Sequence, residues 1–374
     1  MTRPRPDAII VGAGIVGAAC AAALAAEGLR VLVLETEAAS FGTTAAGMGH
    51  LVVMDDSPEQ LALTKYSAGL WATQPDTLRA ASELEWCGTI WVAEDDTQMA
   101  AVRVKQQRYA EHGIASEVLD EHELARVEPY LRPGLAGGLL VPGDGVVYPP
   151  AAALALLERA RERGVEIRDH TAVDEIIPNG VRVAGATVHA DVIVNAAGAA
   201  AARLTTGLPV IPRKGHLVIT ERHPGFCRHQ IVELGYLTSA HVLTGESVAF
   251  NVQPRFTGQV LVGSSRELVG WDPSINRRVL ARMIERACHF MPGLASLTAV
   301  RTWTGFRPAT PDKLPLIGRW PDTPGLWVAA GHEGLGITTS LGTAALLADL
   351  IVGRDTGIDA APYAPDRGVS VGAE

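Results

Sequence analysis

Three glycines near the start of the chain are spaced for contact with a phosphate group. Gly12, Gly14 and Gly17 stand as G-x-G-x-x-G inside DAIIVGAGIVGAACAAALAAEGLRVLVLE, Asp7 to Glu35. The first permits a tight turn, the second lets backbone approach a pyrophosphate, and the third lets a helix pack closely on the preceding strand. The helix that opens at Ile15 and Val16 offers unpaired N–H groups and a partial positive charge to that anion. Glu35, with Thr36 beside it, ends the second apolar run about 20 residues on, where a carboxylate accepts ribose hydroxyls. An acid there favours a dinucleotide without a 2′-phosphate over NADP. The run Ala8–Ala26 carries no charge, but it is rich in Ala and Gly and turns through Glu27-Gly-Leu-Arg30 into another strand. That argues against a membrane span. Arg3 and Arg5 imitate the basic end of a signal peptide without a cleavage site after them. The expectation is a soluble, cytoplasmic dinucleotide-binding protein.

Such a turn needs a parallel sheet beneath it, and the remaining sequence is patterned to supply one. After Glu35 comes Ser40-Phe-Gly-Thr-Thr-Ala-Ala-Gly-Met-Gly-His50, too glycine-rich for regular structure and too apolar for a linker. It suits close backbone contact with a ligand. Asp96/Thr97 to Gly113 reads as a capped helix. Pro149 and Pro150 open a helix that stops at Gly164 and leads into the strand Val165–Ile167. A strand from Val173 to Ile177, a turn at Pro178-Asn179-Gly180, and a buried strand from Val188 into a glycine turn at Gly198 follow. From Ile211 to Ser265 the pattern is β-rich. Ile275 to Met291 is an amphipathic helix with Ile275, Val279, Met283 and Ala287 on one face, and Leu326–Val352 is strand, glycine turn and helix again. Ala361 to Glu374 reads as a frayed tail. Two intertwined domains are expected, with a ligand between them.

Composition narrows the function classes. The chain has 374 residues, 47% hydrophobic and 20% charged, enough for a large core. A net charge of −9, without a basic run, argues against nucleic acid as partner. Cys20, Cys87, Cys227 and Cys288 lack metal or redox spacing and read as buried free thiols. The histidines form no H-x-x-H or HExxH pair, so no protein-bound metal is expected.

Three segments in order resemble the FAD-dependent D-amino-acid oxidase/glycine oxidase superfamily. They are the N-terminal fingerprint, VIVNAAG at 192–198, and GFRPATPDKLPLIG…GLWVAAGHEGLGIT at 305–338. Within it, TTAAGMGHLVVMDDSP and GHEGLGITTSLGTA are most similar to the flavin subunits of D-hydroxyproline dehydrogenases and opine oxidases. The resemblance selects FAD over NAD. It implies an α/β fold: a Rossmann-like FAD-binding domain of glutathione-reductase type, with an interleaved antiparallel or mixed-sheet α+β substrate domain. The FAD-binding domain is placed at 1–84, 150–208 and 305–360, the substrate domain at 85–149 and 209–304, and the tail at 361–374. None of the four cysteines stands where some relatives attach flavin covalently, so the FAD is expected to be non-covalent.

The resemblance also assigns residues. Thr43, Thr44, Ala45, Gly47, Met48 and Gly49 would line the flavin and pyrophosphate, and Val173 would meet adenine through its backbone or be a plain core valine. Ala197 and Gly198 end a strand at the sheet's carboxyl edge, where open α/β sheets bind ligands. Gly331 and the run Gly334, Leu335, Gly336, Ile337, Thr338 would aim a helix N-terminus at the flavin's pyrimidine edge, stabilising the negative charge of reduction. Arg307 matches the arginine that grips the substrate carboxylate beside the flavin; the competing role is an ion pair with Asp312. His50, His332, Glu333 and Tyr148 are further substrate candidates, each with a structural alternative. Where some glycine-oxidase-like enzymes place a tyrosine over the substrate, this chain has Phe250 or Asn251, which weakens glycine as substrate. The implied reaction is oxidation of a C–N bond by hydride transfer to flavin N5, with no protein base assigned. D-hydroxyproline is the best single substrate, with electrons leaving to a partner subunit or quinone, peripherally at the inner membrane. The alternatives are an oxygen-using oxidase of glycine, sarcosine or a D-amino acid, and a flavin-bearing subunit for electron relay or assembly.

Overall fold

Short apolar runs build a parallel sheet in the computed structural model, which describes residues 5–235 and 246–368. Ala8–Val11 is buried along its whole length, and its side chains alternate between two cores. Ala8 and Ile10 face one, Ile9 and Val11 the other, as a strand covered on both faces requires. The sheet runs Leu316–Arg319, Leu326–Ala330, Val192–Asn195, Ala8–Val11, Val31–Leu34, Glu166–Arg168. Only the edge strand Leu316–Arg319 is antiparallel. Helices Ile15–Ala26, Pro149–Arg161 and Gly336–Val352 pack together over one face. The alanines of the first helix permit that close approach. The small antiparallel sheet Glu175–Ile177, Gly180–Val183, Ala186–His189 contributes to the other core.

A second sheet of eight strands runs Ala299–Ala309, Ile211–Arg222, Gln259–Arg266, Ser247–Pro254, Gln230–Glu233, Thr89–Ala93, Gly137–Val141, Glu117–Asp120. All its pairs are antiparallel except Gln230–Glu233 with Thr89–Ala93. The helix Arg277–Phe290 packs on it through Val279, Met283, Ala287 and Phe290. The capped helix Asp96–Glu111 is present, with Asp95 as its cap. No helix among the described residues is long and apolar enough to cross a membrane. The four cysteines are free; Cys20 and Cys227 are buried, Cys87 and Cys288 only partly.

Four readings of the sequence are corrected. Val188–Gly198 is not one strand: Ala186–His189 belongs to the small sheet, and the chain crosses to Val192–Asn195 at Asp191, which pairs with Arg5 at the surface. The strand placed from Val173 begins only at Glu175. Ile275 is 39% exposed and precedes its helix. The amide oxygen of Asn276 accepts from the N–H groups of Arg278 and Val279 and so fixes the start at Arg277, two residues later. The tail is anchored through 368: Tyr363 is buried and donates to the Glu59 carbonyl at 2.6 Å, and Arg367 pairs with Asp312 at 2.7 Å. Residues 369–374 and Arg3 lie outside the described residues.

Candidate functional site

The glycine turn is built as its sequence requires. Gly12 has φ +106, and a Cβ there would stand 2.6 Å from the Ala196 carbonyl oxygen; a Cβ on Gly17 would meet the Gly12 oxygen at 1.9 Å. Only glycine fits either position. Glu35 follows the second strand, and its Oε2 accepts from the Ala13 N–H at 2.7 Å. The acid thus holds the turn's backbone from beside it, with Thr36 exposed next to it. Asn195 supports the neighbouring strand end: its amide donates to the Ala201 carbonyl, and its oxygen accepts from Ala197, which leads into Gly198 at φ +57. Val173 is buried in the core with Ile9, Leu32 and Leu34, against the second strand.

The loop from Ser40 to His50 ties the two sheets together. Thr44 Oγ1 accepts from the Ile15 N–H at 2.9 Å, at the start of the first helix. Thr43 donates to the Phe306 carbonyl at 2.7 Å, and Gln253 donates to the Met48 carbonyl at 2.5 Å, both in the eight-stranded sheet. A Cβ on Gly47 would stand 3.0 Å from Ile337, and one on Gly336 would stand 4.0 Å from Val16. Gly49 is fixed by φ +105 and by the Val147 oxygen, which a Cβ would meet at 2.1 Å; Ala45 is exposed. The glycine turn, this loop, the Ala197–Gly198 turn and the start of Gly336–Val352 therefore converge on one side of the parallel sheet. Thr338 is already spent on structure: its hydroxyl donates to the His50 carbonyl at 2.8 Å.

Where the loop enters the eight-stranded sheet, a cavity opens, lined by His50, Val52, Met54, Trp91, Gln230, Asn251, Arg213, Arg266, Lys313, Glu333 and Leu335 among others. His50 Nδ1 lies 2.7 Å from Gln230 Oε1 and its Nε2 lies 3.3 Å from Asn251 Nδ2. An amide oxygen accepts and an amide nitrogen donates, so the ring carries its proton on Nδ1 and is neutral. Burial pulls its pKa down to about 4, and nearby Arg307 adds to that against the Gln230 bond. Asn251 Oδ1 is buried with no hydrogen-bond partner among the described residues. Of the two residues named for that position, Asn251 lines the cavity, whereas Phe250 is buried and stacked on Phe290 at 4.4 Å.

Opposite these neutral groups stands a dense set of charges. Glu333, held at φ +48 with its N–H donating to the Pro308 carbonyl, lies 3.1 Å from Arg213, 3.9 Å from Arg266 and 4.0 Å from Arg307. Burial pushes its carboxyl up, but Arg307, Arg266 and Arg213 outweigh this and hold it below the usual range. Arg307 donates to the Ser265 carbonyl at 2.9 Å. Asp312, its alternative partner, pairs with Arg367 instead.

Arg307 is not itself among the lining residues and adjoins the cavity through Glu333, and two further substrate candidates lie away from it. Tyr148 is 43% exposed at the start of Pro149–Arg161, with the Arg255 guanidinium over its ring. His332 turns away into the last helix, where Nε2 meets Thr343 Oγ1 at 3.0 Å. Burial takes its pKa down to about 3, so folding holds it neutral. Its unfolded counterpart binds a proton below about pH 6.5, and stability is full above that value and falls as pH drops toward about 3. We expect His332→Asn to flatten this acid limb by one proton, about 1.4 kcal/mol per pH unit, in urea unfolding between pH 6.5 and 5. Equal slopes in both proteins would remove the effect from His332. Arg213, Arg266, Lys313, Gln230 and Trp91 were not anticipated from sequence. The local signal is Arg213-Lys214, two adjacent cations at the head of a β-rich segment.

Residues 7–350 match the family described as FAD dependent oxidoreductase. The chain is 30% identical to hydrogen cyanide synthase subunit HcnC of Pseudomonas aeruginosa, over 96% of each sequence. It is 29% identical to glycine oxidase of Geobacillus kaustophilus over 99% of each. A crystal structure of glycine oxidase from that species is similar with TM-score 0.88 and 28% identity, covering 98% of this chain and 100% of the other. The crystal structure of iminodiacetate oxidase IdaA from Chelativorans sp. BNC1 gives TM-score 0.85 and 25% identity, over 96% and 98%.

Proposed function

The chain belongs to the DAO family of FAD dependent oxidoreductases, and from that premise we propose that it oxidises the C–N bond of a D-configured or secondary amino acid. The carrying observation is the polarity of the cavity, with guanidinium groups gathered at Glu333 and a neutral His50–Asn251 pair among its other lining residues. FAD, when bound, supplies the two-electron acceptor, and the residues present fit it: a glycine turn that tolerates no Cβ, Glu35 beside it, and the clamped Ser40–His50 loop. In this reading 1–84, 150–208 and 305–360 hold the cofactor, and 85–149 and 209–304 carry the substrate.

Arg307 would bind the substrate carboxylate through its guanidinium fork and fix which face of the α-carbon is presented. Asn251 Oδ1 would accept from the amine N–H and orient the nitrogen lone pair. The apolar walls Val52, Met54, Trp91 and Leu335 exclude water, which lowers the amine's pKa and favours its neutral form. The neutral lone pair then assists departure of the α-hydrogen with its electrons. His50 is no base here, since both ring nitrogens are engaged; it positions Asn251.

As substrate, cis-4-hydroxy-D-proline is the leading candidate: the loop and C-terminal motifs favour it, and Asn251 in place of an aromatic leaves room for a ring. The test is anaerobic bleaching of the flavin with cis-4-hydroxy-D-proline, D-proline, sarcosine, glycine and D-alanine. Failure of every amine to bleach it ends the proposal. Transfer of electrons to a partner is supported by the word subunit in the HcnC name, and direct use of oxygen by the oxidase names. Stopped-flow reoxidation in air separates them, fast return of the yellow colour favouring oxygen. Glu35→Ala removes the acceptor of the Ala13 N–H as well as the proposed ribose contact. It should weaken FAD retention by about 10-fold or more on gel filtration while leaving the ranking of substrates unchanged; undiminished retention would overturn the assignment.

A further inference from the structure

The apolar wall of the cavity from Val52 to Met54 follows the short strand His50–Leu51 and, among the described residues, pairs with no strand itself. Side chains hold its backbone instead. The N–H groups of Val52, Val53 and Met54 donate to Thr338 Oγ1, Asp144 Oδ1 and Thr64 Oγ1, at 3.3, 3.1 and 3.1 Å. The Val53 carbonyl accepts from the Tyr109 hydroxyl at 2.8 Å, and the Asp55 carbonyl accepts from Arg108 at 3.2 Å. Extended backbone sends successive side chains to opposite sides. Val52, Met54 and Asp56 accordingly line the cavity, while Asp55 lines a second one behind the wall, with Lys105, Arg108 and Leu234. At Asp55 the wall thus has open space on both sides, and bonds rather than close packing fix its position.

Lys105, on the helix Asp96–Glu111, stands at the centre of this rear side. Its ammonium pairs with Asp55 and lies 4.4 Å from the centre of the Trp91 ring and 4.7 Å from that of Tyr109. Trp91, on the strand Thr89–Ala93, is another apolar wall of the same cavity. Lys105 and Asp55 are only 5% and 7% exposed, so water screens these contacts little. Burial keeps the Tyr109 hydroxyl protonated, and therefore a donor to the wall. One cation joins two walls that belong to different parts of the chain. We infer that Lys105 is a positioning residue: from outside the cavity its ammonium sets Val52, Met54 and Trp91 against the substrate, so that the α-C–H bond is presented in one orientation. This rests on the C–N oxidation proposed above and assigns it a residue that touches no substrate. Arg307 is held separately, through the Ser265 carbonyl, so carboxylate binding does not depend on Lys105.

The experiment uses the FAD-loaded protein under anaerobic conditions, with whichever amine of the panel above reduces the unmodified flavin fastest. Lys105→Met keeps the apolar stem but leaves Asp55 a buried, unpaired charge, so the main variant is Lys105→Met/Asp55→Asn, which removes both charges. Tyr109→Phe, which removes only the hydroxyl donated to Val53, is the milder companion. In the double variant the limiting rate of flavin reduction should fall by about 10-fold, while the half-saturating concentration moves by less than about 3-fold. Tyr109→Phe should show the same split, with a fall in rate of about 3-fold, as loss of one hydrogen bond to the wall provides. Lys105→Arg, which keeps the cation, should retain most of the rate. A lowered Tm or FAD content with an unchanged limiting rate per bound flavin would mean a purely structural role and would overturn the proposal. A raised half-saturating concentration at an unchanged limiting rate would overturn it too. Absence of reduction by every amine in the unmodified protein would instead remove the underlying reading of C–N oxidation, and the proposal with it.

Discussion

Arg307→Ala is expected to raise KM for the amino-acid substrate by about 100-fold, with a smaller change in kcat and no loss of bound FAD. The magnitude is that of about 3 kcal/mol, the cost of truncating one side of a desolvated, charge-assisted pair. The side chain is unusually well held for this work. One guanidinium nitrogen donates to the Ser265 carbonyl, and the group packs against Gly215, where a Cβ would stand 2.2 Å from it. A fork fixed in this way loses little entropy on binding a carboxylate. Arg307→Lys should therefore recover only a small part of the loss, because an ammonium is a point charge without the fork. Folding should hardly suffer, since the substitution relieves repulsion with Arg213 across the strand pair. Steady-state kinetics with thermal unfolding of the same preparations decides the matter. An unchanged KM in a folded variant would move the anchor to Arg213 or Arg266.

What could be read beforehand was local. The glycine turn, the first helix and the strands around Ile9 and Val33 follow from periodicity and spacing within a few dozen residues, and they appear as expected. Boundaries set by single side chains were less legible: Asn276 caps a helix that apolar spacing alone would begin at Ile275, and Asp191 breaks a strand that hydrophobicity alone would continue. The site divides the same way. Arg307 was legible because it sits in a motif, and His50 and Glu333 because they flank glycine-rich turns. Arg213 acquires its meaning only from the register that sets it opposite Arg307, a pairing between distant strands that no local pattern encodes. Orientation was equally hidden. His332 and Glu333 are neighbours, yet one turns into the last helix toward Thr343 and the other joins the arginines.

Glu333→Gln is expected to destabilise the protein by about 3–5 kcal/mol, the range seen when one partner of a buried ion cluster is removed. The change keeps the shape of the side chain, an acceptor for Arg213 and the backbone bond to Pro308, so packing contributes little. What is lost is a negative charge shared by three guanidinium groups. Thermal unfolding of the FAD-loaded protein should register the loss, and malonate, an anion the protein cannot oxidise as an amine, should restore more of it in the variant than in the unmodified protein. The pH dependence follows from the carboxyl being held below its ordinary value of 4.5 in the folded state. The unfolded chain binds the proton first as pH falls, so the stabilisation is complete above about 4.5 and disappears as pH drops through the lowered folded value. The two proteins should therefore differ fully at neutral pH and converge in acid. A variant as stable as its parent at pH 7 would mean that the Glu333 charge does not hold the three guanidinium groups in place.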